Sequence, residues 1–294
     1  MPNFKLGDIV ARKSYNYDVL FKIVGFSNGQ VELSGINVRI TADAYEYDLR
    51  LITKEELDAK LKNIEMNRRD RLNRSASSMN QRNNKYYNGM YNIQNNNIGL
   101  YRNIYTKDKM FKRPGKVLHI DGDEEYTLKC NEMYKKLGIS ANVLNIPERE
   151  QYRQVYNLLK RFNPDILILT GHDAFIKRRN DIYNIDNYKN SKYFVQSVLE
   201  ARRYEHSLDD LVIYAGACQS YYEAIISAGA NFASAPKRVL IDMTDPIIVA
   251  QTIAYTPVNE IVSLDNIFNN TREGINGIGG IQTKGQYRVG MPGI

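Results

Sequence analysis

Short runs in which apolar and polar positions alternate fill the N-terminal part of the chain, and a period of two predicts strands with one buried face. Residues 30–33 read this way, and the short apolar-rich runs at 7–12 and 19–26 also read as strands, with Asn28-Gly29 between the last two of the three. That dipeptide predicts a two-residue hairpin, because both central positions of a type I′ turn need positive φ. Further strands around 38–40 and 49–52 would complete a small all-β SH3-like barrel over residues 1–52. At Thr53 the period lengthens: Thr53 and Glu56 form a capping box, and Leu57, Leu61, Ile64 and Leu72 share one helical face. From about residue 73 to 113, Asn, Tyr, Arg and Lys dominate without apolar periodicity, so residues 53–113 read as a capped helix running into a linker or long mobile loop.

Past Pro114 the rhythm becomes strand, helix, strand. Residues 116–121 predict a strand and 124–137 a helix stopped by Gly138. Residues 143–146 predict a second strand, and Pro147 opens a helix to residue 161. Strands at 166–170, 211–215 and 231–235 follow, separated by helices over about 192–204 and 221–228. This alternation argues an α/β domain over residues 114–294, with a mainly parallel sheet covered by helices on both faces.

Composition narrows the class. The chain has 294 residues, 43% of them apolar, enough for a large core. No apolar run approaches the roughly 20 residues that span a bilayer, and the start Met1-Pro2-Asn3-Phe4-Lys5 has no signal-peptide core, so a cytosolic protein without membrane insertion is expected. The formal charge of +7 is local: residues 61–113 carry 12 Lys/Arg against 3 Asp/Glu. Tyr86, Tyr87, Tyr91 and Tyr101 interleave with these cations and could stack on single-stranded nucleic acid. A solvated tether is the plainer reading, and no nucleic-acid partner is expected. Arg68, Arg69, Arg71, Arg74 and Arg82 stand out as cleavage sites if the segment is exposed. Two cysteines without a Cys-x-x-Cys pair and three histidines argue against a metal or other cofactor.

Chemistry concentrates where two apolar runs break at glycines. One is Ile166-Leu167-Ile168-Leu169-Thr170-Gly171-His172-Asp173; the other is Leu211-Val212-Ile213-Tyr214-Ala215-Gly216-Ala217-Cys218-Gln219-Ser220. Active sites of open α/β sheets lie at the carboxyl ends of strands, so neighbouring parallel strands bring His172 and Cys218 to one rim. A thiol at the start of a helix beside an imidazole is a nucleophile with its base. The N–H groups of Gly171 and Cys218 are candidate oxyanion donors. Such a set suits acyl transfer, most commonly peptide hydrolysis. His119 falls inside a strand and Cys130 inside a helix, where core roles are expected, and His206 should be exposed. The glycines of residues 274–280 lack the lysine arrangement of a phosphate loop and read as a folded loop near the rim.

The order histidine then cysteine, 46 residues apart and each after an apolar strand, resembles the caspase–gingipain–separase group of cysteine peptidases. Leu-Thr-Gly-His-Asp at 169–173, Ala-Gly-Ala-Cys-Gln-Ser at 215–220, Ala-Gly-Ala-Asn-Phe-Ala-Ser-Ala-Pro-Lys-Arg at 228–238 and Gly-Asp-Ile-Val-Ala-Arg at 7–12 resemble the YabG sporulation-specific peptidases of endospore-forming bacteria. The likeness spans nearly the whole chain. It implies a caspase-like sheet of flavodoxin-like order, a Cys218/His172 dyad acting through a thioester, and cleavage after arginine. It also implies substrates of the spore coat and germination apparatus, and a place in the mother-cell cytoplasm and then the coat. The chain departs from the caspases, which carry Gln-Ala-Cys-x-Gly and usually His-Gly, so caspase substrate preference does not carry over.

An arginine-selective site needs a carboxylate to pair with the guanidinium. In the caspase-like group the residue that recognises a charged P1 side chain often follows the first strand, which here points to Asp121 or Asp123, with Asp173 and Asp242 in reserve. Asp123 could equally cap the helix that follows. Self-cleavage among Arg68–Arg82 would separate the barrel from the catalytic half. Two other classes compete: a cysteine amidohydrolase of the glutamine-amidotransferase type, whose nucleophile usually precedes its histidine, and a non-catalytic coat-assembly or RNA-binding module.

Overall fold

A computed structural model describes residues 4–97, 111–176 and 181–290. Strands β1 (Ile9–Arg12), β2 (Leu20–Ser27), β3 (Gln30–Gly35), β4 (Thr41–Ala44) and β5 (Leu49–Leu51) form an antiparallel sheet in the order β4-β3-β2-β1-β5. Asn28 and Gly29 have φ of 51° and 73°, the positive values the β2–β3 hairpin requires. Residues 38–40 were expected as a barrel strand and are not one. The sheet resumes only at Thr41, and the intervening chain reaches across to the second half of the molecule through bridges of Val38 to Asp242 and Ile40 to Asp173.

Helix α1 (Lys54–Asn97) opens as expected, with Thr53 Oγ1 accepting the Glu56 N–H at 3.2 Å. It does not dissolve near residue 73 but runs on to Asn97; residues 98–110 lie outside the described residues. The stripe that holds it is mostly polar. Arg68, Leu72, Ser75, Met79 and Arg82 recur at helical spacing, and they meet Asp242, Asn266 and Glu260 as well as the core. Such a face carries no apolar periodicity. Tyr86 and Tyr87 fall within the helix, as does Tyr91, while Tyr101 lies outside the described residues.

The second half is built on β7 (Val117–Asp121), β8 (Ala141–Asn145), β9 (Ile166–Thr170), β10 (Val212–Ala215), β11 (Phe232–Ser234) and β12 (Ile278–Gly280), in the order β8-β7-β9-β10-β11-β12. The first five are parallel and β12 is antiparallel to β11. The glycine-rich stretch at 274–280 thus closes the sheet edge. Counted along the chain the parallel strands run 2-1-3-4-5, the flavodoxin-like order, whose switch point lies between β7 and β9. A short ribbon of β6 (Phe111–Arg113) and β13 (Arg288–Gly290) stands apart.

Every residue of β7, β9 and β10 is buried, as strands covered on both faces require. Leu118, Ile120, Leu167, Leu169 and Ile213 pack on α3 (Glu148–Phe162) and α4 (Ser191–Tyr204). The alternate residues Val117, Ile166, Ile168, Val212 and Tyr214 join α2 (Glu124–Lys136), the wholly buried α6 (Asp245–Ala254 within Asp245–Tyr255) and the N-terminal sheet in one core. The short helices α5 (Tyr222–Ser227) and α7 (Leu264–Asn270) complete the cover. Among the described residues no helix is long and apolar enough to cross a membrane.

Candidate active site

The rim formed by the carboxyl ends of β7, β9 and β10 gathers Asp121, Asp123, His172, Asp173 and Cys218. After β10 the chain turns at Gly216, where a φ of +111° and the 3.1 Å that would separate an added Cβ from Ser234 Cβ leave little room for a side chain. Two residues on, Cys218 is completely buried. Its Sγ accepts the Ile241 N–H at 3.0 Å, and its own N–H donates to the Arg39 carbonyl oxygen at 3.0 Å. Burial pushes the thiol above its ordinary pKa. Gln219 follows with a left-handed φ of 56°, and its side-chain oxygen accepts the Phe175 N–H, tying the cysteine loop to the histidine loop.

His172 is 6% exposed, and its ring lies 5.4 Å from that of Tyr126. Nε2 is 2.9 Å from Asp123 Oδ2 and 3.4 Å from Ser34 Oγ, whereas Nδ1 is buried without a hydrogen-bond partner. Burial would raise the Asp123 carboxyl, but the His172 contact and the Tyr126 N–H outweigh it and lower its pKa. An ionised carboxylate only accepts, so Nε2 donates to it and Nδ1 is the nitrogen left over for a second partner. Asp123 caps α2 as well, Oδ1 accepting the Tyr126 N–H at 3.0 Å. No hydrogen bond joins Cys218 to His172; the thiol's own donor contact is the Ile241 carbonyl oxygen at 3.6 Å.

Glu148, at the start of α3, accepts the His172 N–H at 2.6 Å, and Asn190 Nδ2 donates to the His172 carbonyl at 2.7 Å. A Cβ on Gly122 or Gly171 would collide with the Glu148 carboxylate, so both glycines are needed for its approach. Asp173 is a buried hub. Its carboxylate accepts from Ala174 N–H, Asn190 N–H, Ser191 Oγ and Ser220 Oγ at 2.5–2.9 Å, yet burial still raises its pKa to about 6. The Asp173 N–H donates to the Arg39 carbonyl oxygen at 3.3 Å, the same oxygen that Cys218 N–H reaches. The donor that converges with Cys218 is therefore on the residue after the histidine; the expectation had placed it on Gly171, before it.

Arg39 had no role in the sequence reading, where its segment looked like a strand. Its guanidinium is fully buried: Nη1 donates to Asp121 Oδ2 at 2.6 Å, Nη2 to the Met243 carbonyl at 3.3 Å, and the group sits 5.0 Å from the centre of the Tyr126 ring. Asp121 is held far below the ordinary carboxylate range: burial opposes this, and Arg39 prevails. Thr170 Oγ1 donates to Asp121 Oδ2 at 2.8 Å, so His119 Nε2, 2.7 Å from the same hydroxyl, is the donor to it, and His119 Nδ1 faces Tyr134. His119 is a satisfied core residue, and burial lowers its pKa. Cys130, buried in α2, is pushed up to about 12 by burial. The ligand atoms of His119, Asp121 and Cys130 lie within 4.8 Å of one another, close enough to hold an ion, but the Arg39 guanidinium already reaches both Asp121 and Cys130.

The other acidic candidate, Asp242, is engaged elsewhere. It pairs with Arg68 at 3.0 Å and Arg71 at 3.1 Å, which overcome burial and lower its pKa. Arg68 is buried, Arg71 and Arg82 are half-buried, and Arg69 and Arg74 are exposed, all within α1. The expected mobile segment with five accessible arginines is thus a helix, three of whose arginines anchor it to the α/β half. His206 is exposed. A cleft of about 530 Å³ opens between β4, Phe175, Lys189 and Gln219; Ile40 and Thr41 line it, and Cys218 and His172 do not.

The family model for the YabG peptidase U57 matches residues 5–292. The sporulation-specific protease YabG of Bacillus subtilis (strain 168) is 40% identical over 302 aligned residues, which cover 98% of each chain. The chain belongs to the YabG peptidase U57 family.

Proposed function

We propose that this chain is a cysteine endopeptidase of sporulation that cleaves after arginine. The observation that carries this is the convergence of the Cys218 and Asp173 N–H groups on one peptide carbonyl oxygen, at 3.0 and 3.3 Å, at strand ends that also carry a buried thiol and an imidazole whose Nδ1 has no hydrogen-bond partner. Cys218 is the nucleophile and His172 the base and then the acid. Asp123 fixes the imidazole with the proton on Nε2, so that Nδ1 exchanges protons with the thiol and the leaving amine. The thiolate attacks the scissile carbonyl carbon, and the two N–H groups hold the developing oxyanion. The amine leaves with a proton from His172, and water then hydrolyses the thioester. Asp121 serves as the S1 anion, because a fully buried arginine already pairs with it at 2.6 Å. The natural substrates on this reading are proteins of the spore coat and germination apparatus, met in the mother-cell cytoplasm and then in the coat.

Arginyl, lysyl and glutamyl fluorogenic peptides test the assignment on wild type, Cys218→Ala and His172→Ala. Cleavage restricted to the arginyl peptide, with both substitutions lowering kcat/KM by roughly 10³-fold or more, is expected. Equal rates for all three proteins would place the site elsewhere. Hydrolysis of free glutamine in place of peptides would favour the amidohydrolase class.

A further inference from the structure

Residues 38–41 lie in the site as a substrate would. The Arg39 carbonyl oxygen receives both oxyanion N–H groups, and the Arg39 side chain fills the acidic pocket. The backbone on either side is gripped: Arg39 N–H donates to the Ile241 carbonyl at 3.0 Å and Thr41 N–H to the Asp173 carbonyl at 3.3 Å. Tyr126 Oη donates to the Gly35 and Val38 carbonyls at 2.9 and 3.2 Å. The chain bends about Arg39, with Ile40 N–H closing on the Val38 carbonyl at 2.9 Å, and this leaves the Arg39 carbonyl oxygen to the two donors. A buried structural arginine needs only its ion pair; it does not need its carbonyl at the nucleophile's N–H.

We propose that the Arg39–Ile40 peptide bond is a self-cleavage site, cut in cis by Cys218. This rests on the peptidase reading and adds to it a specific bond. The Cys218 sulfur bonds to the Arg39 carbonyl carbon as the C–N bond to Ile40 breaks, and His172 passes the thiol proton to the departing Ile40 amine. Water then cleaves the thioester, leaving a carboxylate on Arg39, an amino terminus at Ile40 and the thiol restored. The flanking strands β3 and β4 are paired over Val31–Ser34 and Thr41–Ala44, so the two pieces stay associated after the cut. Until then the S1 pocket is closed to any other arginine.

The test follows freshly purified full-length protein over time by intact mass and N-terminal analysis, alongside arginyl-peptide hydrolysis. Wild type is expected to yield a piece ending at Arg39 and one beginning at Ile40, which co-migrate under native conditions and part on denaturation. Cys218→Ala should stay whole, and the rate should not change on tenfold dilution. Arg39→Gln should remain uncut at this bond. Arg39→Lys, which keeps a buried cation should the Gln variant fail to fold, should be cut at least tenfold more slowly. Wild type that hydrolyses the peptide while Arg39–Ile40 stays whole overturns the inference and leaves the peptidase reading standing. A rate that scales with protein concentration overturns cleavage in cis, and a cut at this bond in Cys218→Ala or Arg39→Gln overturns the assignment to Cys218 or to Arg39. Protein that cuts neither the peptide nor itself overturns both readings.

Discussion

Asp123 serves two partners with one carboxylate, capping α2 through Oδ1 and holding His172 Nε2 through Oδ2. The roles separate by substitution. In Asp123→Asn the amide oxygen still caps, since Asn caps about as well as Asp. Its NH₂ then faces Nε2 and favours the other tautomer, with the proton on Nδ1. We expect kcat to fall roughly 10²-fold or more with KM and thermal stability nearly unchanged. Asp123→Ala should lose a similar factor in kcat and, in addition, about 1 kcal/mol of stability. A kcat for Asp123→Asn equal to wild type would remove the carboxylate from the proton pathway. Asp173 gives a test in pH. Its folded pKa of about 6 lies above the ordinary value near 4, so the folded state binds the proton more tightly than the unfolded chain. That contribution is fully present below about pH 4 and is lost as pH rises through 6. In a Cys218→Ala background, the parent's stability relative to Asp173→Asn should fall by about 2 kcal/mol between pH 4 and 7, by denaturant titration. A difference that stays flat over this range would mean that the four donors around Asp173 keep it ionised throughout.

At the scale of elements, the chain shows where pattern reading succeeds and where it stops. The strands at 117–121, 166–170 and 212–215 were legible because both faces are buried and the runs are continuously apolar; His172 and Cys218 were legible because each follows such a run at a glycine. The continuation of α1 was not, because its inward stripe substitutes ion pairs for apolar contacts at Arg68 and Arg82 and a small polar contact at Ser75. The Arg39 loop was not legible either: Val38-Arg39-Ile40 has the alternation of an edge strand, and nothing local tells that the arginine turns into a distant pocket. Asp121 was one of four acidic candidates for a pocket anion, and nothing in the sequence pointed to Arg39 as its partner. The α1 anchor makes a prediction of its own. Asp242→Asn leaves the buried Arg68 and the half-buried Arg71 without their counter-charge, which should cost about 3 kcal/mol or somewhat more. Hydrogen exchange should quicken in α1 from Arg68 onward before it quickens in β7 or β9. Exchange that rises equally in all three would mean that α1 does not open separately from the sheet.

On the scale of the whole molecule, the N-terminal sheet is more than an appended module, since Val10, Phe21, Val31 and Leu33 share a core with the α/β half. The segment leaving that sheet supplies the arginine that pairs with Asp121 at the rim. Access to the nucleophile should therefore report on residues 38–41. In the uncut chain Cys218 is completely buried, and burial raises its pKa, so little thiolate exists at neutral pH and little of it is reachable. We expect iodoacetamide to label Cys218 in uncut His172→Ala protein at least tenfold more slowly than in the processed wild-type enzyme, read by peptide mass spectrometry. Cys130, buried and raised to about 12, serves as the internal control that should stay unlabelled in both. Adding an arginyl peptide should slow labelling of the processed form, because the peptide re-enters the pocket at Asp121, whereas a glutamyl peptide should not. Labelling of Cys218 at the same rate before and after processing would mean that the segment around Arg39 does not control the site, and that its place against the nucleophile serves the fold alone.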